Sequence, residues 1–471
     1  MKSVSPPGGD VSATKSLSPL DWTFLAGESH ESMMHVGALM HFAPPPRPKR
    51  NFLRALMDEV RTETVAYAPW NLKLRRPEHP AHPLQAWIED DLFDPEYHVR
   101  RSALPEPGDE RELGILVSRL HSHALDFHRP PWEVHFIEGL EDGRFAIYFK
   151  VHHALVDGYT GIKLLSHSLS SKADDKSTPI FHARPPSPRG ARDGNTAPTM
   201  EALLHAVREQ LGATRNIAKA VLHVAKSVQR KDHHLVAPMQ APKSIINQRI
   251  SRSRRFATQQ FKVDRLKTVA KAHGGTINDI VLALSAGALR RLLREQDALP
   301  DQAMTAMLPV NIRPKDDPGG GNAVGAILAS LATDIEDPVE RFHSIIASTR
   351  NAKAELQGMT RNAIMQYSAL LMTPLILSLV PAAIGRLRPA FNVVISNVPG
   401  PTQPLYFRGY RMESYYPLSI PFNGYGVNIT VVSYLDTLNF GFIGCREALP
   451  HLQRLAVYSR ETLEELEAAT A

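Results

Sequence analysis

Two histidines stand side by side in the segment VHHALVDGYTG, at His152 and His153, with Asp157 and Gly158 just beyond them. An apolar run, FAIYFKV (145–151), leads straight into the pair and reads as a strand. An imidazole carried to a strand end can take the proton from a hydroxyl while that hydroxyl attacks a carbonyl. No covalent enzyme intermediate is needed if both substrates bind together. Gly158 would permit the sharp turn and close packing that such a junction asks for. Paired histidines alone say little, because the chain has 21 histidines and a second pair, His233-His234, with no Asp-Gly after it. The plain alternative is a strand end with structural roles only.

Other familiar chemistry is missing from the sequence. There is no GxSxG elbow, no phosphate-binding P-loop and no HExxH. His121, His123 and His128 lie close together without a metal-ligand spacing, so surface or capping roles are expected of them. The single cysteine, Cys445, sits in NFGFIGC, which reads as a buried strand rather than a nucleophile's setting. One cysteine excludes an internal disulfide and fits a reducing, intracellular setting. No metal and no tightly bound cofactor is expected.

The elements that must position the histidines are legible in outline. Ser18, Pro19 and Asp21 mark a helix start, 34–42 a strand and 51–64 a helix. A helix over 110–125 is expected to bury Ile115, Leu116, Leu120 and Leu125. Trp132–Glu138 and Phe145–Val151 form a hairpin around Glu141-Asp142-Gly143-Arg144, since Asp-Gly accepts positive φ. Further strands are expected near 255, 304–310, 324–333, 391–397, 427–434 and 438–445, with helices over 278–295 and from about 450. Helices and strands mix without strict βαβ alternation, which argues for an α+β fold of mixed sheets.

The chain has 471 residues, 43% hydrophobic and 22% charged, which suits two domains. Residues 1–16 have no apolar core of a secretory signal and are expected to be a disordered tail. The expected divisions are 17–173, a Pro- and Ser-rich linker with a basic helical crossover over 174–254, and 255–471.

The pattern HHxxxDG at a strand-to-helix junction matches the signature of the CoA-dependent acyltransferase superfamily. Within it the chain resembles the bacterial wax ester synthase/diacylglycerol acyltransferase family from about Leu17 to its end. LSPLDWTFL (17–25), MHVGAL (34–39), HSHALDFHRPPWEVHFIEGL (121–140), TINDIVLALSAGALR (276–290) and FNVVISNVPGP (391–401) follow in the family's order. Two departures stand out. The Pro-Leu-Trp motif reads Pro130-Pro131-Trp132, and Met33 replaces the usual proline before MHVG.

The resemblance implies two chloramphenicol-acetyltransferase-like domains with an active-site tunnel between them. It makes His153 the general base, with His152 in support and Asp157 as an orienting residue paired to an arginine of the other domain, for which Arg313 is the candidate. Long-chain acyl-CoA would donate directly to a fatty alcohol or diacylglycerol, so CoA enters as substrate. Asn278, Ser396 and Asn397 are candidates for holding the oxyanion or positioning substrate. Asp279 is a structural partner of Asn278, and Pro130, Pro131 and Trp132 are candidates for the acyl entrance.

Charge and apolarity bear on the surroundings. Between Arg208 and Arg255 there are eleven Lys or Arg and two acids, Glu209 and Asp232, densest at SRSRR (251–255). Such a stretch suits CoA phosphates or an anionic membrane surface. No nucleic-acid motif accompanies it. The apolar stretch 363–384 holds Pro374 and Pro381, which argue against a span; the plain reading is a buried helix pair, the sharper one a lipid pocket or a dip into a membrane surface. The expected location is cytoplasmic, in peripheral contact with the inner membrane face or lipid inclusions. Two alternatives compete: a condensation-type acyltransferase using carrier-bound donors, and a non-catalytic lipid-binding relative.

Overall fold

The computed structural model describes residues 15–49, 51–62, 66–174, 240–311, 324–357 and 388–470. Most of the linker and basic crossover, the apolar stretch 363–384, and Arg313 lie outside them.

Two six-stranded sheets carry the fold. The first runs in the order β12 (Tyr406–Phe407), β13 (Tyr410–Leu418), β2 (His35–Ala43), β7 (Phe145–His152), β6 (Trp132–Glu138), β5 (Val99–Ala103). The second runs β10 (Val324–Ser330), β9 (Thr305–Asn311), β11 (Val393–Val398), β14 (Val427–Tyr434), β15 (Thr437–Cys445), β8 (Arg254–Lys262). A small sheet joins β1 (Lys15–Ser16), β4 (Ala86–Glu89) and β3 (Leu72–Leu74). Lys15 and Ser16, assigned to a tail from composition, therefore pair with Trp87 and Ala86. The helices are α1 (Pro19–Gly27), α2 (Phe52–Thr62), α3 (Pro95–His98), α4 (Glu110–His121), α5 (Gly158–Ser168), α6 (Val263–Ala272), α7 (Ile277–Glu295), α8 (Pro338–Gln357) and α9 (Arg454–Ala468).

Strand β7 is buried along its whole length because both faces of its sheet are covered. Phe145, Ile147, Phe149 and Val151 join one apolar cluster with Trp70, Trp87 and Trp132. On the other face Ala146 and Tyr148 pack beneath α4, whose Leu113, Leu116 and Val117 turn inward. Ile115, expected on that inner face, is instead 42% exposed, and α4 ends at His121. Lys150 explains that end. Its buried Nζ donates to the carbonyls of Leu120 (3.1 Å) and His123 (3.0 Å) and pairs with Glu133 at 3.2 Å. The hairpin turn is as expected, with Asp142 and Gly143 at φ of 59° and 67°.

Chain order does not decide sheet membership. Strands β12 and β13 come late in the chain yet extend the sheet of His152, with β13 antiparallel to β2. The boundary expected near 255 thus does not coincide with sheet membership. Across the gap, β15 comes so close to β13 that a Cβ at Gly441 would strike the carbonyl of Pro417. A further apolar cluster bridges the two sheets: Met34, just before β2, Met307, Ala326, Leu328 and Val394 from the second sheet, with Phe391, Ile420, Phe422 and Tyr425.

Candidate active site

Strand β7 is held on both sides where it ends. His152 N–H donates to Pro131 O on one side (2.9 Å), and His153 N–H to Met34 O on the other (2.9 Å). The chain then turns back on itself, with the Leu155 and Val156 amides reaching the His152 carbonyl at 3.0 and 3.4 Å. Asp157 caps α5, accepting from Thr160 N–H (2.8 Å) and Thr160 Oγ1 (3.0 Å).

The two imidazoles are used differently. His152 is buried, and its Nδ1 accepts from Ala154 N–H at 3.1 Å, which puts the ring proton on Nε2. That Nε2 faces the Glu28 carboxylate at 3.4 Å, an approach in ion-pair range without hydrogen-bond alignment. Phe127 meets the ring edge-on. Glu28 also accepts the backbone N–H of Met34, the residue whose carbonyl holds His153. His153 is only half-buried. Its Nδ1 is enclosed without a hydrogen-bond partner, while Nε2 remains open. Phe24 stacks on the ring, with centroids 4.0 Å apart and planes 22° from parallel. Burial pushes the His153 imidazole down to about 4, against the opposing pull of the nearby Asp157 and Asp21 carboxylates. It is therefore neutral at pH 7, as a proton acceptor must be.

Several sequence expectations are corrected by the geometry. Gly158 is the first residue of α5, with no left-handed φ, and a Cβ there would meet nothing within 4 Å. The turn belongs to residues 153–156. Pro130, Pro131 and Trp132, the candidates for the acyl entrance, are all buried. Trp132 has 0% exposure, donates through Nε1 to Trp70 O (2.8 Å) and stacks on His98. The motif supports His152 from beneath, through the Pro131 carbonyl. Arg254, counted in the basic SRSRR cluster, is buried, and its guanidinium bonds to the carbonyls of Ser251 and Glu31.

The remaining candidates fall into a second group. Asn397 Nδ2 donates to Asn278 Oδ1 at 2.7 Å, joining β11 to the start of α7. Ser396 precedes it on β11, half-buried. Among the described residues no hydrogen bond joins this group to His153. Asp279 is a capping residue: it accepts from Thr276 N–H and Oγ1 (both 2.7 Å) and from Thr349 Oγ1 (2.6 Å). His121 lies buried against Tyr148 Oη at 2.7 Å, whereas His123 and His128 are exposed. Cys445 ends β15, buried.

Phe24 and Glu28 were not singled out from the sequence. Asp21, Phe24 and Glu28 recur at spacings of three and four residues, which puts them on one side of α1 and its C-cap. That spacing was a usable signal, but it does not say what the face meets.

Known proteins extend these observations. The model of the wax ester synthase/diacylglycerol acyltransferase catalytic domain matches residues 17–281, and that of the family's C-terminal domain matches 320–467. A protein of Mycobacterium tuberculosis named as a diacylglycerol O-acyltransferase is 50% identical over 96% of this chain and 97% of its own. An O-acyltransferase of Acinetobacter baylyi is 40% identical over 97% of each chain. Among solved structures, the wax ester synthase/diacylglycerol acyltransferase from Marinobacter aquaeolei superposes with a TM-score of 0.76 at 36% identity, over 96% of this chain and 99% of that one. The first condensation domain of the calcium-dependent antibiotic synthetase shares the fold, with a TM-score of 0.58 at 16% identity over 98% and 97% of the two chains. With its mixed two-sheet fold and its histidine pair at a strand end, this chain is an acyltransferase belonging to the wax ester synthase/diacylglycerol acyltransferase family.

Proposed function

We propose that the protein moves a long-chain acyl group from acyl-CoA to the hydroxyl of a fatty alcohol or diacylglycerol, with His153 as general base. The observation that carries this reading is the division of labour between the two histidines. His152 has Nδ1 bonded and Nε2 turned to Glu28, whereas His153 keeps Nε2 open. In the step, Nε2 takes the hydroxyl proton and the oxygen attacks the thioester carbon, forming a tetrahedral oxyanion. Collapse breaks the C–S bond, and His153 returns the proton to the leaving thiolate. Both substrates react directly, and acyl-CoA is a substrate rather than a resident cofactor.

The apolar cluster that joins the sheets supports a long-chain acyl group, since Met34 and Phe24 connect it to His153. Asn278 is the leading candidate for the oxyanion donor. Its oxygen is occupied by Asn397, so its amide N–H groups are available in an exposed position. Asp157 orients the turn as the cap of α5, and a pairing with Arg313 remains part of the proposal. No helix among the described residues is long and apolar enough to cross a membrane. Because the products are water-insoluble, the reading includes peripheral contact with the cytoplasmic membrane face or lipid inclusions.

The test follows thiol release from palmitoyl-CoA with and without hexadecanol or diacylglycerol, in wild type and a folded His153→Ala variant. Acceptor-dependent release, lost in the variant, is expected. A variant as active as wild type sinks the role of His153. Release only from carrier-bound donors would move the protein to the condensation-type reading.

A further inference from the structure

A histidine base is ordinarily aimed by a hydrogen bond to its remote nitrogen, which fixes both tautomer and ring plane. Among the described residues His153 has no such bond to another residue: its Nδ1 is enclosed, and only its own backbone approaches the ring as a partner. That contact with its own backbone leaves packing to share in holding the ring plane. Among the described residues the one aromatic face against it is Phe24, 4.0 Å away and 22° from parallel. Phe24 sits on α1, a helix fixed at its start by the Ser18–Asp21 capping box. The C-cap Glu28 ties the other end, through the N–H of Met34, to the strand that holds His153. Phe24 also packs against the apolar cluster joining the two sheets, so it is braced from behind.

We infer that Phe24 is a positioning residue: its ring face sets the plane of the His153 imidazole and keeps water off one side of it, so that Nε2 is presented to the acceptor hydroxyl. This rests on His153 being the base. The contact acts in two separable ways. Its flatness restricts rotation of the imidazole, and its apolar bulk desolvates the ring, which disfavours the charged form. The charged and titratable groups facing His153 are Asp157 at the cap of α5, Asp21 on α1 and its neighbour His152. The two carboxylates favour protonation. A ring opened to water beside them would gain a proton more readily than it does now.

Three variants separate these effects. Phe24→Ala removes both. The acid limb of kcat/KM against pH is expected to rise by about one to two units, with kcat down about 10- to 100-fold and KM for acyl-CoA within about threefold. Phe24→Leu keeps apolar bulk without a flat face, so kcat falls while the acid limb stays near wild type. Phe24→Tyr keeps the face and restores both. Ring titration of 13C-histidine-labelled protein reports the same change without turnover, with His153→Gln used to assign the resonance. Between about pH 5 and 8 the wild-type ring should stay neutral, whereas the Phe24→Ala ring should titrate within that range. A folded Phe24→Ala variant whose acid limb and ring titration match wild type overturns the inference, even if its kcat is lower. If His153→Ala proves active, the base reading falls, while the ring titration still decides whether Phe24 desolvates the imidazole.

Discussion

Replacing Glu28 with alanine tests the support beneath the histidine pair. The substitution removes the acceptor of the Met34 N–H and the carboxylate facing His152 Nε2. Both donors are enclosed, with Met34 at 0% and His152 at 1% exposure, and water has little access. A buried donor left without an acceptor costs about 1–3 kcal/mol, and the Met34 N–H is the one hydrogen bond lost, so a loss of about 1–3 kcal/mol in stability is expected. The kinetic effect runs through the backbone. Met34 O holds the amide of His153 at 2.9 Å, so a displaced Met34 peptide moves the base. A misplacement of about 1 Å costs about a hundredfold, which sets the expected fall in kcat at about 10- to 100-fold. KM for acyl-CoA should barely change, because Glu28 bonds to the Met34 backbone and faces His152 rather than an open surface. Glu28→Gln retains an acceptor for Met34 and should recover part of both losses. Thiol release and urea unfolding measure the two. A Glu28→Ala variant with wild-type kcat would refute the linkage between α1 and the base, whatever its stability.

Three further outcomes are expected. Trp132→Ala should destabilise the fold by about 3–5 kcal/mol in urea unfolding, with no change in acyl chain-length preference, since Trp132 is core; a shifted preference would return it to the acyl path. Asp157→Ala should cost about 1 kcal/mol as a lost helix cap, and Asp157→Asn most of nothing, as read from unfolding midpoints. Equal losses in both would point to the carboxylate charge instead. Stability should fall as the solution is acidified. Burial holds His41 at about 3, His98 at about 4 and His153 at about 4, with His35 and His121 also well below their ordinary value. Above about pH 6.5 both states are neutral; below it the unfolded chain binds protons that the folded chain refuses, costing about 1.4 kcal/mol per pH unit for each such histidine. Urea midpoints unchanged between about pH 7 and 5 would contradict this.

Much of the scaffold was legible because its signals are local. The Asp-Gly turn and two apolar runs gave the hairpin, and the apolar residues over 278–295 gave a helix, although the reciprocal Thr276–Asp279 cap that starts it was not read. Strand β13 escaped because YRMESYYPL lacks clean alternation and its irregular register at Met412–Ser414 breaks the period. The HHxxxDG motif does lie at a strand-to-helix junction, yet Gly158 does not make its turn, since its backbone is ordinary. The burial of Trp132 was not legible, because a motif gives its neighbours in sequence and not its neighbours in space. Phe24 and Glu28 were missed for the same reason: their partners lie more than a hundred residues away, on β7 and just after it.

The late placement of β12 and β13 also governs how the chain can be made. During synthesis β2 and β7 emerge early, but the strand that covers the free edge of β2 appears only after residue 410. At about 5–20 residues per second, that edge waits tens of seconds for its partner. Unpaired strand edges invite pairing with other chains. The nascent first half is thus a natural client for a chaperone, and a polypeptide stopped before residue 410 should aggregate even though it carries the entire histidine motif.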